Sequence, residues 1–162
     1  MLCMYVGDAR QNVISRILTN HCRGNVEGSA LRLTVAEKMG FPIKRTKRPS
    51  GRSTKVRIDI PDPKVGEGKV TGYIRSGKWK YVICDSNEEA KDFQWYLIDR
   101  LDPFLNKDRK PWSRERLQRY QYLINILEAS PFISYKLLRS MKSGPGVYVL
   151  YHELIPLRQW KN

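Results

Sequence analysis

The stretch from Lys80 to Leu101 constrains the fold most, because it joins a strand-type segment to a capped amphipathic helix. Residues Lys80–Cys84 are rich in β-formers and predict a strand. Ser86 and Glu89 then fit a capping box, in which both side chains satisfy free amides of a first helical turn. An apolar stripe at helical spacing predicts that this helix runs to about Leu101 and packs through one face. The stripe consists of Ala90, Gln94, Leu97, Ile98 and Leu101.

Gln94 is the one polar member of that stripe. A polar side chain on a packing face must find hydrogen-bond partners or reach a cleft. The position is therefore a candidate for a functional site on the pattern alone.

The remaining segments alternate between strand and helix patterns and predict an α+β fold, a small mixed or antiparallel sheet flanked by helices. We expect one domain over residues 1–162, with an insertion at about 40–77 and a helical segment at about 113–141. Strands are predicted at Met1–Val6, Val56–Ile60 and Val147–Tyr151, with a turn at Gly7-Asp8. Helices are predicted at Asn12–Cys22, Ser29–Met39, Ser113–Glu128 and, more briefly, Tyr135–Met141.

The charge balance indicates a polyanionic partner. Lys and Arg number 30 against 16 Asp and Glu, for a net charge of +14, while a hydrophobic content of 41% favours a folded chain over a basic tail. Cys3, Cys22 and Cys84 contain no Cys-x-x-Cys pair, so neither a disulfide framework nor a zinc site is indicated. With no apolar run of about 20 residues, we expect no membrane association and a cytoplasmic location.

The charge is concentrated between Lys38 and Arg57, where eight basic residues occur without an acidic one. Interleaved Pro, Gly and Ser predict an exposed loop. A solvated charge run or an import signal would account for it, but a phosphate-contacting arm fits better, because clustered cations displace counterions from a nucleic acid backbone. The pattern alone does not choose between DNA and RNA.

Several short motifs resemble the signatures of the GIY-YIG nuclease family. Gly146-Val147-Tyr148 resembles the first signature and Tyr5-Val6-Gly7 the second, followed by a helix with Arg16 and His21. Residues 89–98 resemble the family's glutamate helix, and 102–106 resemble its terminal Pro-x-x-Asn. The first signature lies at the opposite end of the chain, so the order is circularly permuted. The resemblance covers roughly residues 1–37, 78–110 and 143–151.

The resemblance implies hydrolysis of a DNA phosphodiester with Mg²⁺ or Mn²⁺. Tyr148 or Tyr5 would orient or deprotonate the attacking water, Arg16 would stabilise charge on the phosphoryl oxygens, and His21 is a weaker candidate for proton transfer. Taken singly, the tyrosines could be ordinary strand aromatics, Arg16 a solvated helix residue and His21 a hydrogen-bonded core residue. The motifs that carry these residues occur in the circular order of the family, which argues against the ordinary explanations for Tyr148, Tyr5 and Arg16 but not for His21.

Gln94 stands where the family pattern has a metal-binding glutamate. It keeps the shape but loses the charge that a hard cation needs. Two explanations stay open, a variant inactivated to trap a complex, which we favour, and a natural non-catalytic member.

The insertion at about 40–77 is predicted to read DNA, which favours a site-specific, restriction-type endonuclease acting on double-stranded DNA. A homodimer on DNA is left open. The alternatives are a non-catalytic nucleic-acid-binding module and a basic RNA-binding or ribosome-associated protein. The expected phosphate contacts are Lys44, Arg45, Lys47 and Arg48, and the candidates for base edges are Arg52, Lys55 and Arg57.

Overall fold

The computed structural model describes residues 1–153 and Leu157, in which short strands alternate with helices. A π-helical turn at Arg16–His21 follows the first helix, and single 3₁₀ turns lie at Arg114–Arg116 and Leu138–Ser140. The strands are β1 (Leu2–Ala9), β2 (Ile43–Lys47), β3 (Thr54–Ile58), β4 (Lys78–Ile83), β5 (Ile133–Ser134) and β6 (Gly146–His152). The helices are α1 (Val13–Ser15), α2 (Ala30–Lys38), α3 (Pro63–Ser76), α4 (Asn87–Leu101) and α5 (Leu117–Ala129).

The main sheet has four antiparallel strands in the order β1-β6-β4-β5. The last strand of the described residues, β6, therefore lies in the middle of the sheet, between β1 and β4. Its register with β1 runs from Leu2 opposite His152 to Ala9 opposite Gly146. The two sequence-distant signatures are thereby neighbours in one hairpin-like pair of strands.

Alternation along β6 divides the core between the two faces of the sheet. Tyr148 and Leu150 belong to a cluster with residues of α2 and α3, whereas Val147 and Val149 pack in a second cluster with residues of α4 and α5. Period-two alternation of large side chains buried on both faces is what a central strand between helix layers requires. The predicted α+β class with an antiparallel sheet and flanking helices is confirmed. No helix of the described residues is long and apolar enough to span a membrane.

The start of α4 follows the predicted capping chemistry. Ser86 Oγ accepts a hydrogen bond from the Glu89 amide at 3.1 Å, and Glu89 Oε2 accepts one from the Asp85 amide at 2.7 Å. These bonds fix the first turn of the helix. The register that brings Gln94 to the sheet is therefore determined locally.

The structure differs from the sequence-based expectation in the insertion. The basic segment is a regular β2–β3 hairpin rather than a loop, closed by a turn in which the Gly51 amide bonds to the Arg48 carbonyl at 2.8 Å. Helix α3 follows it and was not predicted, because Gly66, Gly68 and Gly72 lower its helix propensity. The Asp62 cap and the burial of residues from α3 compensate for that cost.

Two other segments also depart from expectation. β1 continues through Gly7-Asp8 to Ala9 instead of turning there. The region 113–141 is helical only in part, since α5 ends at Ala129, β5 follows, and a single 3₁₀ turn replaces the helix expected at Tyr135–Met141. For β1, pairing with β6 as far as Ala9 overrides the local turn pattern.

Asn106 closes the free edge of β1. Its Oδ1 accepts from the Val6 amide at 2.8 Å, and its Nδ2 donates to the Val6 carbonyl at 2.9 Å. The Leu105 amide donates to the Met4 carbonyl at 2.8 Å. The segment after α4 thus pairs with backbone groups that an edge strand otherwise leaves open, and it holds β1 on both sides of Tyr5.

We expect Gly7→Ala to destabilise the protein by about 1–3 kcal/mol. A Cβ at Gly7 would lie 2.4 Å from the hydroxyl oxygen of the buried Tyr148, which has no room to move. The matched control is Gly72→Ala on α3, where nothing lies within 4 Å of the added Cβ and the gain in helix propensity is about 0.5–1 kcal/mol. Urea unfolding of both variants checks the sign, and equal effects would contradict this account.

Candidate active site

Tyr5 and Tyr148 come from adjacent strands and face the same side of the sheet. Their ring centroids are 6.4 Å apart, and both side chains are buried, Tyr148 with 1% of its surface exposed. Gly7 lies directly opposite Tyr148 in the β1–β6 register, and its missing side chain leaves space for the phenol. The glycine of the Tyr-Val-Gly motif therefore has a packing role in positioning Tyr148.

The π-helical turn brings Arg16 and His21 to the same side of their helix. The two residues are five positions apart, which in a regular α-helix would place them on different faces. The Cys22 amide bonds to the Ile17 carbonyl at 2.9 Å, an i to i+5 hydrogen bond that widens the turn. Both side chains consequently interact with the Tyr148 hydroxyl.

His21 lies between the hydroxyl groups of Tyr148 and Ser29. Nε2 of His21 lies 2.5 Å from the Tyr148 hydroxyl, and Nδ1 lies 2.7 Å from Ser29 Oγ. Ser29 Oγ also accepts a hydrogen bond from the Arg32 amide at 3.2 Å. Both hydroxyls can donate or accept, so these contacts suit a neutral imidazole with its proton on either nitrogen.

Burial sets the protonation of this cluster. It raises the pKa of Tyr5 to about 12, an effect that nearby Arg16 partly opposes, and it raises the pKa of Tyr148 well above its ordinary value. Burial, with the charges of Arg16 and Arg32, lowers the pKa of His21 to about 3. At neutral pH both phenols are therefore protonated, and the imidazole is neutral.

A cleft of about 910 Å³ opens beside this cluster and beyond the end of β1. Arg16 reaches it from the π-helical turn and Gln94 from α4, which packs on the opposite face of the sheet. Gln94 is 9% exposed, and its Nε2 donates a long 3.5 Å hydrogen bond to the Val6 carbonyl. The polar position in the apolar stripe does reach a cleft, as expected. Other lining residues are Asp8, Arg10, Asn12, Asn20, Lys91 and Trp95.

The donors around Gln94 do not fit a divalent cation. Hard cations prefer anionic oxygen ligands, and Asp8 is the one carboxylate among the residues lining the cleft. The described residues contain no group of three His, Cys, Asp or Glu side chains suited to hold a metal ion. A glutamate at position 94 would add the missing charge.

The seven basic residues predicted to bind DNA lie on the hairpin and not in the cleft. All seven are exposed. The hairpin is linked to the β1 edge through Glu37, which accepts hydrogen bonds from Arg45 at 3.0 Å and from Lys107, the neighbour of Asn106. The structure thus assembles Tyr5, Tyr148, Arg16 and His21 in one cluster, with Gln94 in the adjoining cleft and the hairpin outside it.

Sequence reasoning missed Ser29 and Arg32 as residues of this site, and it missed the contact that Asn106 makes. Ser29 is recognisable as a helix cap, but its bond to His21 depends on tertiary structure. Asn106 was part of the recognised motif, yet no pattern indicates that it binds the Val6 backbone. Arg32 is fully buried and donates to the His21 carbonyl at 2.8 Å, which its place in a helical segment does not reveal.

We expect His21 to make the protein less stable as the pH falls below neutrality. Its pKa of about 3 in the folded state lies below the unfolded value of about 6.5, so the unfolded chain binds the extra proton between these values. This contribution is complete above pH 6.5 and is lost towards pH 3, at up to about 1.4 kcal/mol per pH unit. Urea unfolding of the wild type and His21→Gln between pH 7 and about pH 4.5 measures the difference in slope. Parallel curves would refute the assignment of a neutral, buried imidazole.

Comparison with known proteins agrees with this geometry. A model of the GIY-YIG catalytic domain matches residues 1–123, about three quarters of the chain. Neither the curated proteins nor the solved structures yield a match. The matching model covers β1, the π-helical turn, α4 and Asn106, the elements that carry Tyr5, Arg16, His21 and the edge of the cleft. The chain therefore belongs to the GIY-YIG nuclease family.

Proposed function

We propose that this chain is a site-specific, restriction-type endonuclease of double-stranded DNA, whose metal-dependent cleavage is suppressed by Gln94. The cluster of Tyr5, Tyr148, Arg16 and His21 beside a cationic cleft carries the proposal. A bound Mg²⁺ or Mn²⁺ supplies charge stabilisation in nucleases of this family, and Gln94 leaves that ion without its anionic ligand. The roles proposed for the residues of the cluster do not depend on that ion.

Arg16 is placed to bind two oxygens of a phosphate, because it lines the cleft and its planar guanidinium matches them as a fork. Tyr148 is protonated at neutral pH, so it accepts a proton from an attacking water only if it passes its own proton on. His21 Nε2, 2.5 Å away, is too weak a base to keep that proton, because its pKa is about 3, so we assign Tyr148 to orienting the water through a hydroxyl that His21 holds in place. Tyr5, beside Tyr148, is the alternative residue for orienting the water.

The hairpin supports recognition of DNA through one of its two faces. Its register places Lys44, Lys55 and Arg57 together on the outer face, where Lys44 lies directly opposite Arg57. Like charges opposite each other destabilise a sheet, so their grouping favours an anionic partner. Ion pairs involve Arg45 with Glu37 and Arg48 with Glu27, whereas on the outer face Arg57 has only a longer contact of 3.6 Å with the exposed Asp59. We therefore propose the outer face for DNA contact and give Arg45 and Arg48 a positioning role.

We also propose that the chain is a circular permutation of the family order. The matching family model ends at residue 123 and leaves out β6, yet β6 pairs with β1 over its whole length and supplies the Gly-Val-Tyr motif. Leu2 lies opposite His152, so the two ends of this strand pair are adjacent. Permutation is tolerated where a cut falls in a surface connection. Asn162, whose distance from Met1 would bear on this most directly, lies outside the described residues.

A second candidate function is a nucleic-acid-binding module without catalysis. Gln94 and the cations of the cleft favour it, because they suit binding of a phosphate better than binding of Mg²⁺. Cleavage of both strands by the first candidate would need two active sites on one duplex, so a homodimer on DNA belongs to the first proposal alone.

We expect Gln94→Glu to restore Mg²⁺-dependent nicking of supercoiled plasmid DNA, with a rise over wild type of at least about 100-fold. The added carboxylate supplies the missing charge beside Arg16. The double variant Gln94→Glu, Tyr148→Phe is the control and should be inert, because it lacks the hydroxyl that is hydrogen-bonded to His21 and proposed to orient the water. An inert Gln94→Glu protein that still binds DNA would favour the non-catalytic module.

The outer face of the hairpin gives a second test. Replacing Lys44, Lys55 and Arg57 by Gln should lower the slope of log affinity against log salt by about three on duplex DNA. The matched control replaces Lys64, Lys136 and Lys142, lysines outside the hairpin, and should leave the slope close to wild type. Equal effects of the two triple variants would argue against a dedicated DNA-binding face. Higher affinity for structured RNA than for duplex DNA would support the RNA-binding alternative.

A further inference from the structure

The cleft beside Gln94 is cationic. Arg10 follows β1, Arg16 belongs to the π-helical turn, and Lys91 lies in α4, while Asp8 is the only carboxylate among the lining residues. Arg10 and Lys91 are exposed, and neither forms an ion pair within the part of the chain that the structure describes. Their charges are therefore free to act on a ligand in the cleft.

Lys91 lies one helical turn before Gln94. Residues three apart on a helix are neighbours on the same face, so the Lys91 ammonium and the Gln94 amide line the same part of the cleft. With a neutral Gln94, the ammonium of Lys91 presents one positive charge without any metal ion.

We propose that Lys91, together with Arg10 and Arg16, forms a metal-independent binding site for a backbone phosphate of DNA. Arg16 provides a fork for two phosphate oxygens, and Lys91 and Arg10, which line the same cleft, add positive charge. The inference rests on the proposed function, since it assigns the DNA backbone as the ligand of the same cleft. It goes further by giving the cleft a ligand that Gln94 does not prevent from binding.

The test measures affinity for a short fluorescein-labelled DNA duplex by anisotropy, as a function of salt, once in EDTA and once in Mg²⁺. Wild type is compared with Lys91→Met and with Lys136→Met, a control at an exposed lysine outside the cleft. Loss of one phosphate contact lowers the slope of log affinity against log salt by about one. We expect this decrease for Lys91→Met in both media and no decrease for Lys136→Met.

An unchanged slope for Lys91→Met, with a slope still lowered by the outer-face variant of the hairpin, overturns this inference and leaves the proposed function standing. If the wild-type protein does not bind duplex DNA at all, both this inference and the proposed function are overturned. Binding that requires Mg²⁺ also overturns the inference, because the site is then metal-dependent.

A second measurement examines the cation directly. Paramagnetic Mn²⁺ broadens NMR signals of nearby nuclei, and we expect no selective broadening at Asp8 or Gln94 in the wild type. Selective broadening there would overturn the inference, because it would show that the cleft holds a divalent cation despite Gln94. Gln94→Glu is the positive control for this measurement.

Discussion

The pairing of β1 with β6 is the interaction on which the rest of the site depends. Its register places Tyr148 opposite Gly7 and on the same face as Tyr5, with ring centroids 6.4 Å apart. The two strands are held from both sides, by β4 across β6 and by Asn106 across β1. A shift of one residue would turn Tyr148 to the other face of the sheet and away from His21.

Arg32 connects the insertion to the same cluster. It is fully buried, and its guanidinium donates to the His21 carbonyl at 2.8 Å and to Glu67 and Thr71 of α3 at 2.6 and 2.9 Å. A buried cation without its partner carries a large desolvation cost, so Glu67 is required once Arg32 is in place. Helix α3 therefore supports the backbone of His21, and the insertion is part of the framework of the site as well as the carrier of the basic hairpin.

The sequence was a reliable guide where local chemistry determines the structure. The Ser86 cap and the apolar stripe located α4 and singled out Gln94, and the short motifs named Tyr5, Tyr148, Arg16 and His21. It was a poor guide where tertiary contacts override local preference. Helix α3 contains three glycines and forms because it packs, and the π-helical turn needs an i to i+5 bond that no residue pattern encodes. Roles for the site residues stay predictions, since geometry brings the groups together without showing turnover.

The position of β6 at the far end of the chain has a consequence for synthesis. His21 and Tyr148 are separated by 127 residues, and of the described strands β6 is the last to be synthesised although it lies in the centre of the sheet. Every nascent chain shorter than 148 residues lacks the Tyr148 side chain. In such a chain β1 cannot form its full pairing with β6, which sets its register. Folding must wait for a contact between distant segments, which loop closure makes slow. The contact between Tyr148 and His21 is thus absent until β6 has been synthesised and paired with β1.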